Sequence, residues 1–282
     1  MKVGMNLLLW TAHVTERDYP VLSRLKEIGF DGVEVPVFEG DAAQYRALRR
    51  VLGDLGLGAT AITVMSPEHN PISPDAGVRR AATERLKWVV DRAADFGARV
   101  VCGPLHSALG VFSGHAPTAD EHARSLEVFH EVAPHAAAAG IDLAVEYLNR
   151  FENYFLTTAA AAHAWAAAVD QPAFGLMWDT FHAHIEEKEI ARNLAAMQPF
   201  LRHVHLSEND RGTPGTGQVR WEETFRALRA INYDRWLVIE AFGRALPELA
   251  AATRVWRDLF ADGDELCRHG LSFTRQSWAD AA

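Results

Sequence analysis

The stretch AAAAGIDLAVE, Ala136–Glu146, contains the junction from which the whole chain is built. An alanine-rich helical pattern stops at Gly140, a short apolar strand follows, and the strand ends on the carboxylate of Glu146. A helix that turns directly into a strand often needs a left-handed residue just past its end, and glycine takes that conformation without a side-chain clash. The stretch therefore predicts a helix-to-strand junction of an α/β protein, with an acidic residue where the strand stops.

The same junction occurs three more times in the N-terminal half of the chain. The sequences are LKEIGFDGVEV, LGDLGLGATAI and AADFGARVVCG, which turn at Gly29, Gly56 and Gly97. Further apolar runs, separated by helical patterns, bring the number of predicted strands to eight. These strands are Val3–Leu7, Gly32–Val35, Ala59–Thr63, Val100–Cys102, Asp142–Glu146, Phe174–Trp178, His203–Leu206 and Leu237–Glu240.

Eight strands that alternate with helical patterns predict a single-domain (β/α)8 barrel, or TIM barrel, over residues 1–282. More helix follows the last strand and predicts a C-terminal helical extension over about residues 260–282. An open doubly wound sheet is the alternative fold for the same alternation. No Gly-x-Gly-x-x-Gly turn follows the first strand to support a dinucleotide-binding version of it. The run TADE, Thr118–Glu121, is typical of a capping box that opens a helix.

Composition and charge restrict the classes of partner and the cell compartment. The chain has 282 residues, 49% of them hydrophobic, which is ample for one large core. Its formal net charge is −9 without a run of Lys or Arg, so neither nucleic acid nor an anionic membrane surface is an expected partner. Cys102 and Cys267 form no disulfide framework, which favours a reducing cytoplasm. The N-terminal apolar run is too short for a secretory signal or a membrane span.

Each of the last four predicted strands carries a possible metal ligand near its C-terminal end. The residues are Glu146, Asp179, His205 and Glu240. Active groups of a barrel collect at the C-terminal strand ends and consecutive strands are neighbours, so we expect these side chains to converge. Three carboxylates and an imidazole would repel one another without a divalent cation, and this ligand set suits Mn²⁺, Mg²⁺ or Co²⁺ better than structural zinc. For any one of these residues alone, a polar strand end that faces solvent is the better interpretation. Four such residues on consecutive strands favour a shared functional site instead.

Other polar residues lie near these strand ends. His182 is three residues beyond the sixth strand and could face the pocket, whereas His184 is expected in solvent. His203 and His205 are two apart and point to one face, so His203 is expected one layer deeper as a hydrogen-bonded core histidine. Arg211 begins the run RGTPGTG, which is either a flexible loop or a holder of substrate oxygen beside the metal.

Several of these segments resemble the D-tagatose 3-epimerase and D-psicose (allulose) 3-epimerase family, within the xylose-isomerase-like barrels. The matching segments are EYLNRFENY, DTFHAHIEE, HLSENDRGTPGTG and VIEAF, with weaker similarity at VWRDLF and LSFTRQ. The resemblance implies a metal site of Glu146, Asp179, His205 and Glu240, with Mn²⁺ as the expected ion and Co²⁺ or Mg²⁺ as alternatives. It also implies a homodimer or homotetramer.

The same resemblance implies the remaining roles. Glu146 and Glu240 would be the acid/base pair, and Glu152, His182 and Arg211 would hold the sugar near O1 and O2. The expected reaction is C3 epimerisation of a free ketose through an enediolate, as between D-fructose and D-psicose, D-tagatose and D-sorbose, or L-ribulose and L-xylulose. Two carboxylates on opposite sides of C3 supply a base on one face and an acid on the other.

The far end of the sugar is expected to meet the first strand and the loop after the fourth. Asn6 and Leu109 are the predicted substrate contacts there, at places where the family often has aromatic residues. The smaller Leu109 predicts breadth across ketohexoses and ketopentoses. Neither segment offers Lys or Arg to a phosphate.

Three alternatives to this function remain open from the sequence. A hydroxypyruvate isomerase or another aldose–ketose isomerase would use a similar metal barrel and move a proton between C1 and C2. A sugar-phosphate 3-epimerase would share the mechanism but would need an anion site. A non-enzymatic sugar-binding protein would not need an opposed pair of glutamates.

Overall fold

The computed structural model describes residues 1–281 and shows eight parallel strands in one closed barrel. The strands are β1 (Lys2–Asn6), β2 (Gly32–Pro36), β3 (Gly58–Ile62), β4 (Val100–Gly103), β5 (Asp142–Glu146), β6 (Phe174–Asp179), β7 (Leu201–Leu206) and β8 (Trp236–Ile239). The barrel closes where β1 pairs with β8, from Lys2 opposite Trp236 to Met5 opposite Ile239. The predicted single-domain (β/α)8 barrel is confirmed, and this closure excludes the open-sheet alternative.

Ten α-helices form within residues 1–281 and surround the barrel or cover its ends. They are α1 (Tyr19–Ile28), α2 (Ala42–Leu55), α3 (Ala76–Phe96), α4 (Ala119–Ala139), α5 (Ala159–Val169), α6 (Thr180–Glu186), α7 (Ile190–Met197), α8 (Trp221–Ala230), α9 (Pro247–Thr253) and α10 (Gly263–Asp280). Helix α10, in the segment expected as a C-terminal extension, packs against α8 and α1 and so completes the outer ring. Among the helices of this part of the chain, none is both long and apolar enough to cross a bilayer.

The four predicted helix-to-strand junctions are confirmed. At each one the glycine has a positive φ and its N–H donates to carbonyls of the last helical turn. The values are φ 110° at Gly29, 62° at Gly56, 87° at Gly97 and 69° at Gly140. The capping box also forms, since Thr118 and Glu121 exchange side-chain and backbone hydrogen bonds at the start of α4. These local features fix where each β/α unit turns.

A small apolar cluster fills the barrel interior beneath the C-terminal strand ends. It includes Ile62 of β3, Cys102 of β4, Ala144 of β5 and Met177 of β6, together with Phe242 from the segment after β8. Phe242 lies beyond the end of β8 and extends this cluster towards the loops at the C-terminal end of the barrel. The cluster therefore provides apolar packing near the polar strand ends.

Candidate metal centre and active site

The four predicted metal ligands lie together at the C-terminal end of the barrel. Glu146 and Asp179 end β5 and β6, His205 is the penultimate residue of β7, and Glu240 directly follows β8. Ligand atoms of Asp179, His205 and Glu240 all lie within 4.8 Å of one another. A second group of the same size contains Glu146, Asp179 and His182, so the two groups share Asp179. All of these side chains are buried.

The ring of His205 has one nitrogen bonded to a carboxylate and the other directed at the strand-end acids. Its Nε2 lies 2.7 Å from Oε1 of Glu34. Its Nδ1 lies 3.3 Å from Oε1 of Glu240 and 3.6 Å from Oδ2 of Asp179, and it has no hydrogen-bond partner among residues 1–281. Burial lowers the pKa of His205, but Glu34 and Glu240 outweigh it and raise this pKa well above its usual value. A cation at Nδ1 would therefore bind in competition with a proton.

Asp179 presents only one of its carboxylate oxygens to the site. Its Oδ1 caps α6 by accepting the backbone N–H groups of Phe181, at 2.6 Å, and His182, at 3.3 Å. Its Oδ2 faces the Nδ1 of His205. The N-terminus of a helix that starts directly after β6 thus fixes the orientation of this carboxylate.

The two outer glutamates have pKa values shifted in opposite directions. Burial, with the charges of Asp179 and Glu240, raises the pKa of Glu146 well above its usual value. Burial also opposes ionisation of Glu240, but His205 and Arg211 outweigh it and lower its pKa. Two carboxyl groups whose environments separate their pKa values are suited to act as an acid and a base.

This donor set fits a divalent metal ion. Besides Nδ1 of His205, the buried Oε1 of Glu146 has no hydrogen-bond partner in the described part of the chain. Unpaired buried acceptors are costly unless a cation or a donor satisfies them. Three carboxylates and one imidazole, in a buried cluster at strand ends, could hold such an ion.

His182 and Glu152 lie beside this cluster, as the sequence predicts for substrate-binding residues. Nδ1 of His182 accepts the backbone N–H of Asn149 at 3.0 Å, which leaves the proton on Nε2, 3.5 Å from Glu146 Oε1. Burial lowers the pKa of His182 to about 3, so the ring is a neutral donor. Glu152 Oε1 accepts from the side chain of Asn149 at 2.9 Å and lies 3.8 Å from Arg211 Nη2.

Arg211 reaches the centre of the site from the loop after β7. Its Nη1 donates to Oε2 of Glu240 at 2.7 Å and to Oγ of Ser207 at 3.2 Å. The guanidinium lies over the ring of Phe181, 3.7 Å from the centroid, which restricts its plane. Its backbone has a left-handed φ of 66°, uncommon for a non-glycine residue, and Phe242 donates its backbone N–H to the Arg211 carbonyl at 2.9 Å.

Comparison with known proteins identifies the family of this chain. The family model described as a xylose isomerase-like TIM barrel matches residues 22–275. The ketose 3-epimerase of Arthrobacter globiformis is 34% identical over 279 residues, which are 98% of this chain and 96% of that protein. The chain belongs to the ketose 3-epimerase family. The resemblance stated from the sequence is thereby confirmed.

Other members of the ketose 3-epimerase family are similar along their whole length. The D-psicose 3-epimerase of Agrobacterium fabrum is 32% identical, with 98% of each chain covered. A solved structure of an L-ribulose 3-epimerase superposes with a TM-score of 0.95 at 30% identity, over 99% of this chain and 95% of that one. These coverages extend the similarity over nearly the whole of each chain.

Sequence reasoning missed the residue that organises the glycine-rich loop. The fully buried carboxylate of Glu208 accepts backbone N–H groups from Asn209, Gly215, Gln218 and Val219, at 2.9 to 3.1 Å. It also accepts Nε1–H of Trp221 at 2.9 Å. The loop that carries Arg211 is thus wrapped around an internal carboxylate, a feature that only the folded loop reveals.

Asn6 is the last residue of β1 and contacts Glu240, which follows the neighbouring strand β8. It is fully buried, and its Nδ2 donates to Oε1 of Glu34 at 3.1 Å and to Oε1 of Glu240 at 3.3 Å. Its Oδ1 accepts the backbone N–H of Leu8. The amide is therefore occupied by protein groups, and a direct contact with the sugar stays a prediction.

Leu109 lies in the long loop after β4, which joins the loop after β5. Its backbone N–H donates to the carbonyl of Met65 at 3.0 Å, and the next residue, Gly110, donates to the carbonyl of Glu152 at 3.0 Å. Leu109 is partly exposed, next to the segment that carries Glu152. A contact between Leu109 and the sugar stays a prediction.

Glu34 is the second residue that sequence reasoning missed. It is fully buried inside β2 and lies 2.8 Å from Nε2 of His203 as well as 2.7 Å from that of His205. The contact with His203 confirms that this residue is a hydrogen-bonded core histidine. A signal was present in the sequence, since GVEVP places one carboxylate within an otherwise apolar strand.

Proposed function

We propose that this protein is a metal-dependent ketose 3-epimerase that inverts C3 of free ketoses through an enediolate. One observation carries the proposal. Glu146 and Glu240 approach the shared Asp179 from strands that lie three positions apart in a closed eight-stranded barrel. Carboxylates that reach one pocket from different sides suit removal of a proton from one face of C3 and delivery to the other.

Each side chain of the site has a separate proposed role in C3 epimerisation. A divalent cation held by Glu146, Asp179, His205 and Glu240 would supply Lewis acidity, which acidifies the proton at C3 and stabilises the enediolate. Glu240 is suited to take the proton from one face of C3 and Glu146 to give a proton to the opposite face, because they reach the pocket from β8 and β5. In the reverse direction the two carboxyl groups exchange roles.

The residues around the pair are suited to hold O1 and O2 of the sugar. The neutral ring of His182 offers the N–H of Nε2, and Arg211 offers guanidinium N–H groups to the same region. Glu152 can accept from a sugar hydroxyl because its second oxygen is free of the Asn149 contact. Fixing O1 and O2 presents C3 to both glutamates.

The structure favours a free sugar over a sugar phosphate. In the glycine-rich loop, backbone N–H groups that could cradle a phosphate already donate to Glu208. The segments expected to meet the far end of the sugar carry Leu8, Leu105 and His106, all buried and none cationic. We therefore propose breadth across ketohexoses and ketopentoses, such as D-fructose, D-tagatose and L-ribulose.

Mn²⁺ is the proposed native ion, with Co²⁺ or Mg²⁺ as substitutes, because the ligands are mostly carboxylate oxygens with one imidazole. We also propose a cytoplasmic location and a homodimer or homotetramer. The exposed aromatic side chains of Phe151 and Trp256, 73% and 69% exposed, support a contact between copies. Light scattering of the eluted protein would measure the subunit number.

Isotope incorporation tests the reaction and separates it from aldose–ketose isomerisation. The Mn²⁺-loaded protein is incubated in D₂O with D-fructose, D-tagatose or L-ribulose, and the products are analysed by NMR. We expect the C3 epimer of each sugar with deuterium at C3. An aldose product with deuterium at C2, together with recovered ketose that carries deuterium at C1, would indicate an isomerase acting between C1 and C2 instead. A kcat/KM that clearly favours ribulose or xylulose 5-phosphate over the free ketoses would contradict the proposed substrate class.

A further inference from the structure

The carboxylate of Glu34 is the most densely bonded acid beneath the metal centre. It receives five donors although it is fully buried. Oε1 accepts from Asn6 Nδ2 at 3.1 Å and His205 Nε2 at 2.7 Å, and Oε2 accepts from Thr60 Oγ1 at 2.9 Å, His203 Nε2 at 2.8 Å and Cys102 Sγ at 3.1 Å. Such a site retains an ionised carboxylate, which can only accept.

We propose that Glu34 is a positioning residue for the metal centre: by accepting the Nε2–H of His205 it fixes the ring so that Nδ1 faces the strand-end acids as the ligand. The inference rests on the proposed metal-dependent function. An imidazole whose outer nitrogen donates to a carboxylate is fixed in tautomer and ring plane, and its inner nitrogen becomes a better ligand. The amide of Asn6, which bridges Glu34 and Glu240, ties the same carboxylate to a second proposed ligand.

The polar groups around Glu34 form a hydrogen-bonded support and not a second metal site. The carboxylate oxygens lie 2.7 and 2.8 Å from the nitrogens of His205 and His203. Two ligands of one tetrahedral zinc ion, each about 2.1 Å from it, would stand roughly 3.4 Å apart. Burial and the charge of Glu34 also raise the pKa of Cys102, which disfavours the thiolate that a metal would need.

The test measures Mn²⁺ affinity in Glu34→Gln and Glu34→Asp, after exhaustive chelation, by titration calorimetry. Glutamine keeps the size but removes the charge and turns one acceptor into a donor. Aspartate keeps the charge but shortens the reach. We expect Glu34→Gln to weaken Mn²⁺ binding by about 10- to 100-fold, and Glu34→Asp to weaken it less, as partial rescue by charge.

The matched control is Thr60→Val, which removes another donor from Glu34 without touching His205. It should change the Mn²⁺ affinity by no more than about threefold. Circular dichroism and the Tm of each chelated variant report folding, and Glu34→Asp carries the test if Glu34→Gln does not fold. A folded Glu34 variant that binds Mn²⁺ within about threefold of wild type would overturn the inference. Absence of Mn²⁺ binding in the wild type would instead contradict the proposed function.

Discussion

Nη1 of Arg211 lies 2.7 Å from Oε2 of Glu240, and both groups are buried at the mouth of the barrel. Burial lowers the pKa of Arg211, but Glu240 and Asp179 outweigh it and raise this pKa, so the guanidinium stays charged. Arg211 in turn helps His205 to lower the pKa of Glu240 against its burial. The contact therefore keeps one carboxylate of the proposed acid/base pair ionised.

Replacement of Arg211 tests this contact. Arg211→Lys keeps the charge but loses the planar fork that reaches Glu240 and Ser207 and stacks on Phe181, so we expect kcat/KM to fall by roughly 10- to 100-fold. Arg211→Met removes the charge, so its kcat/KM should fall further, by about 10²–10³-fold. Both are measured with D-tagatose at saturating Mn²⁺. Equal activity of Arg211→Met and wild type would show that Glu240 needs no cationic side chain.

The opposed glutamates give a second prediction. Glu146→Gln and Glu240→Gln should each lower kcat by about 10²–10⁴-fold, since each removes one proton carrier. The exposed Glu189, paired with Arg192 on the surface, provides a control in Glu189→Gln, which should keep the wild-type rate. Initial rates are compared with Mn²⁺ occupancy measured in parallel. A variant with full occupancy and undiminished turnover would exclude that carboxyl group as a proton carrier.

Metal removal gives a third prediction. Exhaustive chelation should abolish turnover, and Mn²⁺ or Co²⁺ should restore it and raise the Tm by mass action. Because the surrounding carboxylates raise the pKa of His205, protons compete for Nδ1, and the Mn²⁺ affinity should fall as the pH is lowered. Calorimetry at several pH values measures this slope. Full activity in protein shown to be metal-free would refute the dependence.

Acid stability of the metal-free protein gives a fourth prediction. Burial lowers the pKa of His106 to about 3, below the value of about 6.5 in an unfolded chain. The contribution of neutral His106 to the free energy of unfolding is therefore complete above pH 6.5. It is lost as the pH falls towards 3, because the unfolded chain takes up the proton first. Between pH 6.5 and 4.5 it amounts to about 2–3 kcal/mol.

His106→Gln cannot take up this proton, so its free energy of unfolding should depend less on pH than that of wild type. Urea denaturation in the presence of a chelator, at pH 7 and 4.5, measures the difference. Burial also lowers the pKa of His182 to about 3, so His182→Gln should behave in the same way. In the variant with both substitutions, the free energy of unfolding should depend on pH least of all. Parallel pH profiles for wild type and His106→Gln would show that His106 does not contribute.

The sequence by itself determined the β/α units and most of the candidate site. The predicted strand Asp142–Glu146 coincides with β5, and the glycine that precedes it has the expected positive φ. These features are local, because they depend on an apolar run and on one residue that can adopt a left-handed backbone. The strand-end acids follow from the same units, since parallel strands of a barrel all place their C-terminal ends at one rim.

Only the tertiary structure decided what lies beneath and around those acids. Glu34 and His205 are 171 positions apart, and Asn6 and Glu240 are 234 apart, yet each pair is in hydrogen-bonding contact. Such contacts require closure of the barrel, which depends on the tilt and stagger of all eight strands together and leaves no periodic trace in the sequence. Likewise, Glu208 acquires its role only when its loop folds around it. The proposed ligands and acid/base residues could therefore be predicted from each strand separately. The residues that form hydrogen bonds to them could not, because those contacts depend on which strands the closed barrel brings together.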